Sequence, residues 1–241
     1  MKFTEGYWEK SERANASHAM QAFIVEEIPN GMQIVAPFHI ITDRSGALDV
    51  GTITIEFTAI RKDVISVRSW HFEGYQRKEP RFELNKDMQD VDVEITDEKA
   101  IMTAGRMQVC VDRKDFKIEY KADGKVLTTC GFRNIGYMQY DRSNSTKFPE
   151  SNYMYSDYTP YMNTELSLAP GECVYGMGER FTSFVKNGQV VDCWNEDGGT
   201  ASQISYKNIP FYMTNKNYGI LVDHTDNVSF EVASEKVEYV G

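Results

Sequence analysis

The chain has 241 residues, 41% of them hydrophobic and 12% aromatic. That is long enough to bury a core without disulfide or metal staples, and the composition excludes a disordered polymer. A formal net charge of −10 argues against a nucleic-acid partner, because phosphate backbones require clustered Lys and Arg.

Cys110, Cys130, Cys173 and Cys193 contain no Cys-x-x-Cys pair. They read as small buried residues of a reduced protein, and neither a metal nor a cofactor is expected. The N-terminal residues carry no apolar leader, and no apolar run approaches membrane-spanning length. A cytoplasmic protein without a membrane partner is the expectation.

Helical periodicity is scarce. Residues 8–22 have helix-forming composition but no apolar stripe, so they are expected to be a loop or irregular arm. Phe23-Ile24-Val25 then leads to a turn at Pro29-Asn30-Gly31, where the Asn-Gly pair favours a tight hairpin. Thr52 to Phe57 and Val64 to Trp70 alternate with period two, as half-buried strands do. Residues 74–88 are polar and are expected to form a surface loop. Strand patterns follow at 91–95, 100–103, 107–111 and 116–120, and Asp123-Gly124 marks a further hairpin. Strands this regular, with turn signals between them, predict an all-β antiparallel sandwich or barrel.

Residues 133–163 are polar and rich in tyrosine: Tyr137, Tyr140, Tyr153, Tyr155, Tyr158 and Tyr161. Their amphipathic rings are expected to cover a sheet edge or face a partner domain rather than to stack on a ligand. Strand patterns resume at Leu166 and continue through Val228 to Val232. The chain stops at Val237-Glu238-Tyr239-Val240-Gly241. An unpaired alternating strand there would be an exposed edge, so the domain is expected to be cut before its natural end.

Between Gly171 and Tyr212 the conformationally special and chemically able residues concentrate. Gly176 and Gly178 flank Met177 beside a strand pattern, where glycine marks a bulge or close backbone approach. Glu179-Arg180 is read as a loop-organising pair. Trp194-Asn195-Glu196-Asp197-Gly198-Gly199-Thr200 puts an aromatic, an amide and two carboxylates on one loop, with Gly198 and Gly199 freeing its tip. Carboxylates and amides bond sugar hydroxyls, and an aromatic face packs on a sugar ring. On pattern alone, Asp197-Gly198 reads more simply as a hairpin turn and Trp194 as core. Adjacent carboxylates in a strand point to opposite faces, so Glu196 and Asp197 make a poor acid/nucleophile pair. No self-sufficient catalytic constellation is found.

These motifs, with Tyr206-Lys207-Asn208-Ile209-Pro210-Phe211-Tyr212-Met213 and Val228-Ser229-Phe230-Glu231-Val232, resemble the N-terminal β-sandwich domain of glycoside hydrolase family thirty-one. The resemblance is strongest to its bacterial α-xylosidases, and it is dense from about residue 171 to 236. It implies that residues 1–241 form a galactose-mutarotase-like antiparallel β super-sandwich, with a (β/α)8 catalytic barrel downstream. The parent would be a retaining exo-α-glycosidase acting on oligosaccharides with α-linked xylose, or alternatively glucose, and a homo-oligomer is compatible with this. Its catalytic carboxylates would lie in the barrel, outside this chain. The loop would reach over the barrel, with Asp197 and Trp194 as substrate-binding residues. The family places a basic residue where this chain has Glu196, which leaves the leaving-group preference open. A free-standing carbohydrate-binding or assembly sandwich is the alternative of another class.

Overall fold

The computed structural model describes residues 3–5, 9–72, 86–141, 158–200 and 202–241. Apart from a 3-10 turn at Ser45–Ala47, its elements are β-strands. Every strand-to-strand ladder is antiparallel. The chain divides into two compact units, one of residues Arg13–Thr164 and one of Met1–Glu12 with Glu165–Gly241.

In the first unit a four-stranded sheet runs in the order Ile24–Ile28, Gly31–Pro37, Thr52–Arg61, Val64–Trp70. A five-stranded sheet runs in the order Lys125–Cys130, Lys117–Ala122, Met107–Asp112, Lys99–Ala104, Asp92–Ile95. Period-two patterning decides which faces are buried. Ile53, Ile55, Phe57 and Ala59 are fully buried on one side of their strand, as are Ala100, Met102, Val109, Val111 and Ile118 in the other sheet. The Phe57 ring lies 6.4 Å from that of Tyr120, so the two apolar faces meet there.

The turns show how local chemistry sets register. Asp123 and Gly124 both have positive φ, 50° and 74°, and join strands paired at Ala122 and Lys125. That is the mirror-image hairpin turn expected of Asp-Gly. The first hairpin differs from expectation. Ile28 pairs with Gly31, so the two-residue loop is Pro29-Asn30, with Asn30 at φ 57°. Proline at the first central position and asparagine in the left-handed region at the second is the pattern of a type II turn. Gly31 instead opens the next strand, where a Cβ would fall 1.8 Å from the Phe57 carbonyl oxygen.

Two expectations for this unit are corrected. The arm at residues 8–22 contains a strand, Ala14–His18, paired with Ile135–Asp141. Alanines and polar residues carry little apolar alternation, yet backbone pairing needs none, and Ala16 is buried opposite Met138. The tyrosine-rich segment likewise supplies strands, Ile135–Asp141 paired with Tyr158–Thr164. Pro160 is tolerated there because its strand is an edge of the three-stranded sheet. Tyr137 packs against His71 with ring centroids 4.5 Å apart. Tyr153 and Tyr155 lie outside the described residues, as does most of the expected loop at 74–88.

The second unit holds a four-stranded sheet in the order Leu166–Ser167, Tyr239–Val240, Val228–Val232, Gln189–Cys193. A three-stranded sheet runs Val174–Gly176, Phe211–Thr214, Gly219–Leu221, and Thr4–Glu5 pairs with Glu9–Lys10. Their shared core is Leu168, Val174, Met177, Val191, Cys193, Tyr212, Phe230, Val232 and Val240. Tyr212 and Phe230 meet edge to face at 6.0 Å. The expected unpaired strand at the C-terminal end is not seen. Val240 pairs with Leu166 on one side and Val232 on the other. Next to it Lys236 donates to both carboxylate oxygens of Glu165, at 2.8 and 2.7 Å, in a largely buried ion pair. All four cysteines are free thiols, with Cys130 and Cys193 buried.

Phe57→Ala should destabilise the protein by about 3–5 kcal/mol in urea unfolding, from lost burial and the cavity left behind. Val126→Ala, at a half-exposed position, should cost under about 1 kcal/mol by the same measurement.

Candidate carbohydrate-binding loop

The strand Gln189–Cys193 runs in the core sheet and delivers the chain to Trp194 at the surface. From there the chain makes an excursion closed at its root. Asn195 and Ser205 form a parallel bridge, and the Glu196 amide donates to the Ser205 carbonyl at 3.1 Å. Inside the excursion the Ser202 amide donates to the Gly199 carbonyl at 2.9 Å.

The root is organised by two side chains. Arg180 donates through Nε to the Met177 carbonyl at 3.0 Å, through Nη1 to Gln203 at 3.2 Å and through Nη2 to Asp192 at 2.8 Å. Nη2 also donates to Oδ1 of Asn208. The Asn208 amide nitrogen in turn faces the Trp194 carbonyl at 2.9 Å, Asn195 Oδ1 at 2.9 Å and the Ser205 carbonyl at 2.7 Å. Two amide hydrogens thus serve three acceptors, while the one amide oxygen takes the guanidinium. The two residues bind strand end, loop root and returning chain into one polar node.

Glu179 and Arg180 do not pair with each other. Glu179 takes Lys207 at 2.8 Å in an exposed ion pair, which contributes little to stability. Arg180 carries the loop-organising role. Its guanidinium also lies 3.6 Å from the Cys193 sulfur, but burial pushes that thiol's pKa up and keeps it neutral. Nearby Lys186 is buried and donates to Thr182 Oγ1 at 3.1 Å and the Ser183 carbonyl at 2.7 Å. Desolvation, then the charge of Arg180, pushes its pKa below the ordinary lysine range.

Two glycines are required by backbone approach. Gly178 sits at φ +85°, and a Cβ would lie 2.2 Å from the Lys207 carbonyl oxygen. Gly198 would place a Cβ 2.1 Å from the Ile204 carbonyl oxygen, so the two arms of the excursion touch there. Gly176 is similarly close to the Phe211 carbonyl oxygen, at 2.7 Å, whereas Gly199 meets nothing within 4 Å. Met177 between the first pair is a buried non-glycine residue at φ 68°, a conformation its packing must hold in place.

The simpler reading of this loop from pattern is overturned in both parts. Asp197-Gly198 lies in chain without regular secondary structure and joins no hairpin, because Gln189–Cys193 pairs with Val228–Val232 and not with a strand after Gly198. Trp194 is 48% exposed and is not core. Asp197 is exposed, and among the described residues its carboxylate has no partner. The structure therefore brings an open indole, a free carboxylate and the exposed Glu196 onto one anchored loop. Asn208, which ties this arrangement together, is not among the expected site residues. Its partners lie up to 28 positions away, so nothing local in the sequence signals its role.

Gly178→Ala should destabilise the protein by roughly 2 kcal/mol or more, through the strained φ and the backbone collision. Gly198→Ala should also destabilise it, and Gly199→Ala should change stability by less than about 0.5 kcal/mol. Chemical denaturation of the three variants checks the order.

Residues 54–231 match the family described as the glycosyl hydrolase 31 N-terminal galactose mutarotase-like domain. The whole chain is 36% identical to the α-xylosidase XylQ of Lactiplantibacillus pentosus, over 241 residues and 30% of that protein. It is 35% identical to an α-xylosidase of Emericella nidulans, again along its whole length and over 32% of that protein. The chain thus spans about a third of the length of these curated relatives. Among solved structures, the cycloalternan-forming enzyme of Listeria monocytogenes, in complex with a pentasaccharide substrate, superposes with a TM-score of 0.70. That likeness covers 94% of this chain and 19% of the other at 15% identity, and so concerns the fold. By sequence and by fold, this chain belongs to the galactose mutarotase-like N-terminal domains of glycosyl hydrolase family 31.

Proposed function

We propose that the chain is the non-catalytic N-terminal domain of a retaining exo-α-glycosidase that removes α-xylosyl ends from oligosaccharides. The observation that carries this reading is the 36% and 35% identity of this whole chain with the matching third of two α-xylosidases. The bond-breaking carboxylates then belong to a catalytic barrel later in the full-length protein. One would act as nucleophile and the other as acid and base, about 5 Å apart as retention requires.

In this reading the domain supplies part of the substrate pocket. Asp197 accepts hydrogen bonds from sugar hydroxyls near the leaving-group side, and the exposed face of Trp194 packs on a sugar ring. The support is their placement. Both are exposed, the carboxylate has no protein partner among the described residues, and the loop root is fixed by Arg180 and Asn208. A charged acceptor held still by its scaffold loses little freedom on binding.

The full-length protein should turn over p-nitrophenyl α-xyloside faster than the α-glucoside. The reverse order would reassign it as an α-glucosidase, and no hydrolysis of either would overturn the glycosidase reading. Asp197→Ala in that protein should lower kcat/KM by roughly tenfold to a hundredfold, the worth of a hydrogen bond to a charged group. Its thermal midpoint should stay unchanged, since the side chain is exposed. Unaltered kinetics would remove Asp197 from the pocket.

A further inference from the structure

The three-stranded sheet of Val174–Gly176, Phe211–Thr214 and Gly219–Leu221 has one face in the core and one in solvent. Residues opposite each other across a ladder share a face. Val174 pairs with Thr214 and Tyr212 with Ile220, and this side is inward, with Val174, Tyr212 and Thr214 at 0, 2 and 4% exposure. Tyr175 pairs with Met213 and Phe211 with Leu221 on the other side. There Met213 is 52% exposed, Leu221 59% and Phe211 38%.

The outer face is continuous and apolar. Phe184, 79% exposed, sets its ring 5.2 Å from that of Tyr175. The Phe211 ring covers Gly219, where a Cβ would lie 2.7 Å from its Cζ. No charged side chain occupies the outward register positions. A sheet with one solvated face alternates apolar and polar residues, whereas a sheet apolar on both faces is a layer covered on both. Contiguous exposed apolar side chains of this kind mark a surface that another surface covers.

We propose that this face is the docking surface for the polypeptide beyond Gly241 in the full-length protein. The inference rests on the reading of the chain as the N-terminal domain of a longer glycosidase. Its support is that the matched family is an N-terminal domain and that most of each curated α-xylosidase lies outside the match. That remainder is tethered to this domain, so its contact with the face is intramolecular and benefits from a high effective concentration. A sugar is a poorer occupant, because sugar sites combine an aromatic face with charged or amide groups, and none stands at these outward positions.

The test places a photoreactive residue, Leu221→p-benzoylphenylalanine, in the full-length protein and maps its cross-links by mass spectrometry over a dilution series. Intrachain cross-links to residues beyond 241 are expected. Cross-links only between copies, only within residues 1–241, or absent altogether would overturn the proposal. Peroxide oxidation of the unsubstituted full-length protein gives a second readout. Met88, 42% exposed, is the internal reference for Met213. Met213 should oxidise at least about tenfold more slowly than Met88, since susceptibility follows exposure. Equal rates would also overturn the docking. Assay of the same protein on aryl α-glycosides separates the two readings. Cross-links without hydrolysis would sink the glycosidase reading alone, and hydrolysis without cross-links or protection would sink the docking alone.

Discussion

Arg180 is a half-buried cation held, among the described residues, by backbone carbonyls and an asparagine rather than by a carboxylate. A charge taken partly out of water must have its donors satisfied, or the conformation that buries it is lost. The carbonyls that satisfy it belong to the Gly176–Gly178 bend, the end of the Gln189–Cys193 strand and the return of the loop at Gln203. Met177 and Gln203 lie in irregular chain, whereas Asp192 is still paired with Ser229 near the end of its strand. The guanidinium therefore ties two irregular segments to the last paired residues of the Gln189–Cys193 strand.

That constraint divides the labour along the loop. Its root is over-determined by Arg180, Asn208, Ser205 and the close glycine contacts. Its outer residues, Trp194, Glu196 and Asp197, face solvent. Rigid support with open chemistry suits a binding element. The two carboxylates exposed on the loop, Glu196 and Asp197, are adjacent in sequence, a poor spacing for an acid and a nucleophile flanking one bond. The second unit presents an anchored polar loop and an apolar sheet face beside the core that supports them.

Local signals account for much of the strand structure. Period-two alternation locates a strand from Thr52 to Phe57, which the structure continues to Arg61, and Asp123-Gly124 locates a turn whose two left-handed residues the structure retains. The glycine-rich stretch from Gly176 to Gly199 also stands out, because residues without Cβ are informative wherever backbones approach. Ala14–His18 escapes such signals because a strand of small and polar residues has no hydrophobic period, and its partner lies more than a hundred residues away. Asp197-Gly198 misleads on pattern because the same dipeptide serves a hairpin turn and a close backbone approach equally well. Asn30-Gly31 shows the same ambiguity, with the glycine used for the Phe57 carbonyl and not for the turn.

By itself the sequence determined an antiparallel all-β chain, its main hairpins and its family, since these depend on residue-by-residue alternation, turn conformations and motif order. Only the tertiary structure decided what holds the Trp194–Thr200 loop and which of its groups are free. Arg180, Asn208 and Ser205 are distant in sequence, and their hydrogen-bonding capacity is ordinary until packing of the core sheets brings strand end and loop root within 3 Å of one another. Exposure belongs to the same class. Met213 is apolar, and only the pleat that turns it away from buried Tyr212 and Thr214 sets it in solvent, while Trp194 is exposed just past the end of its strand.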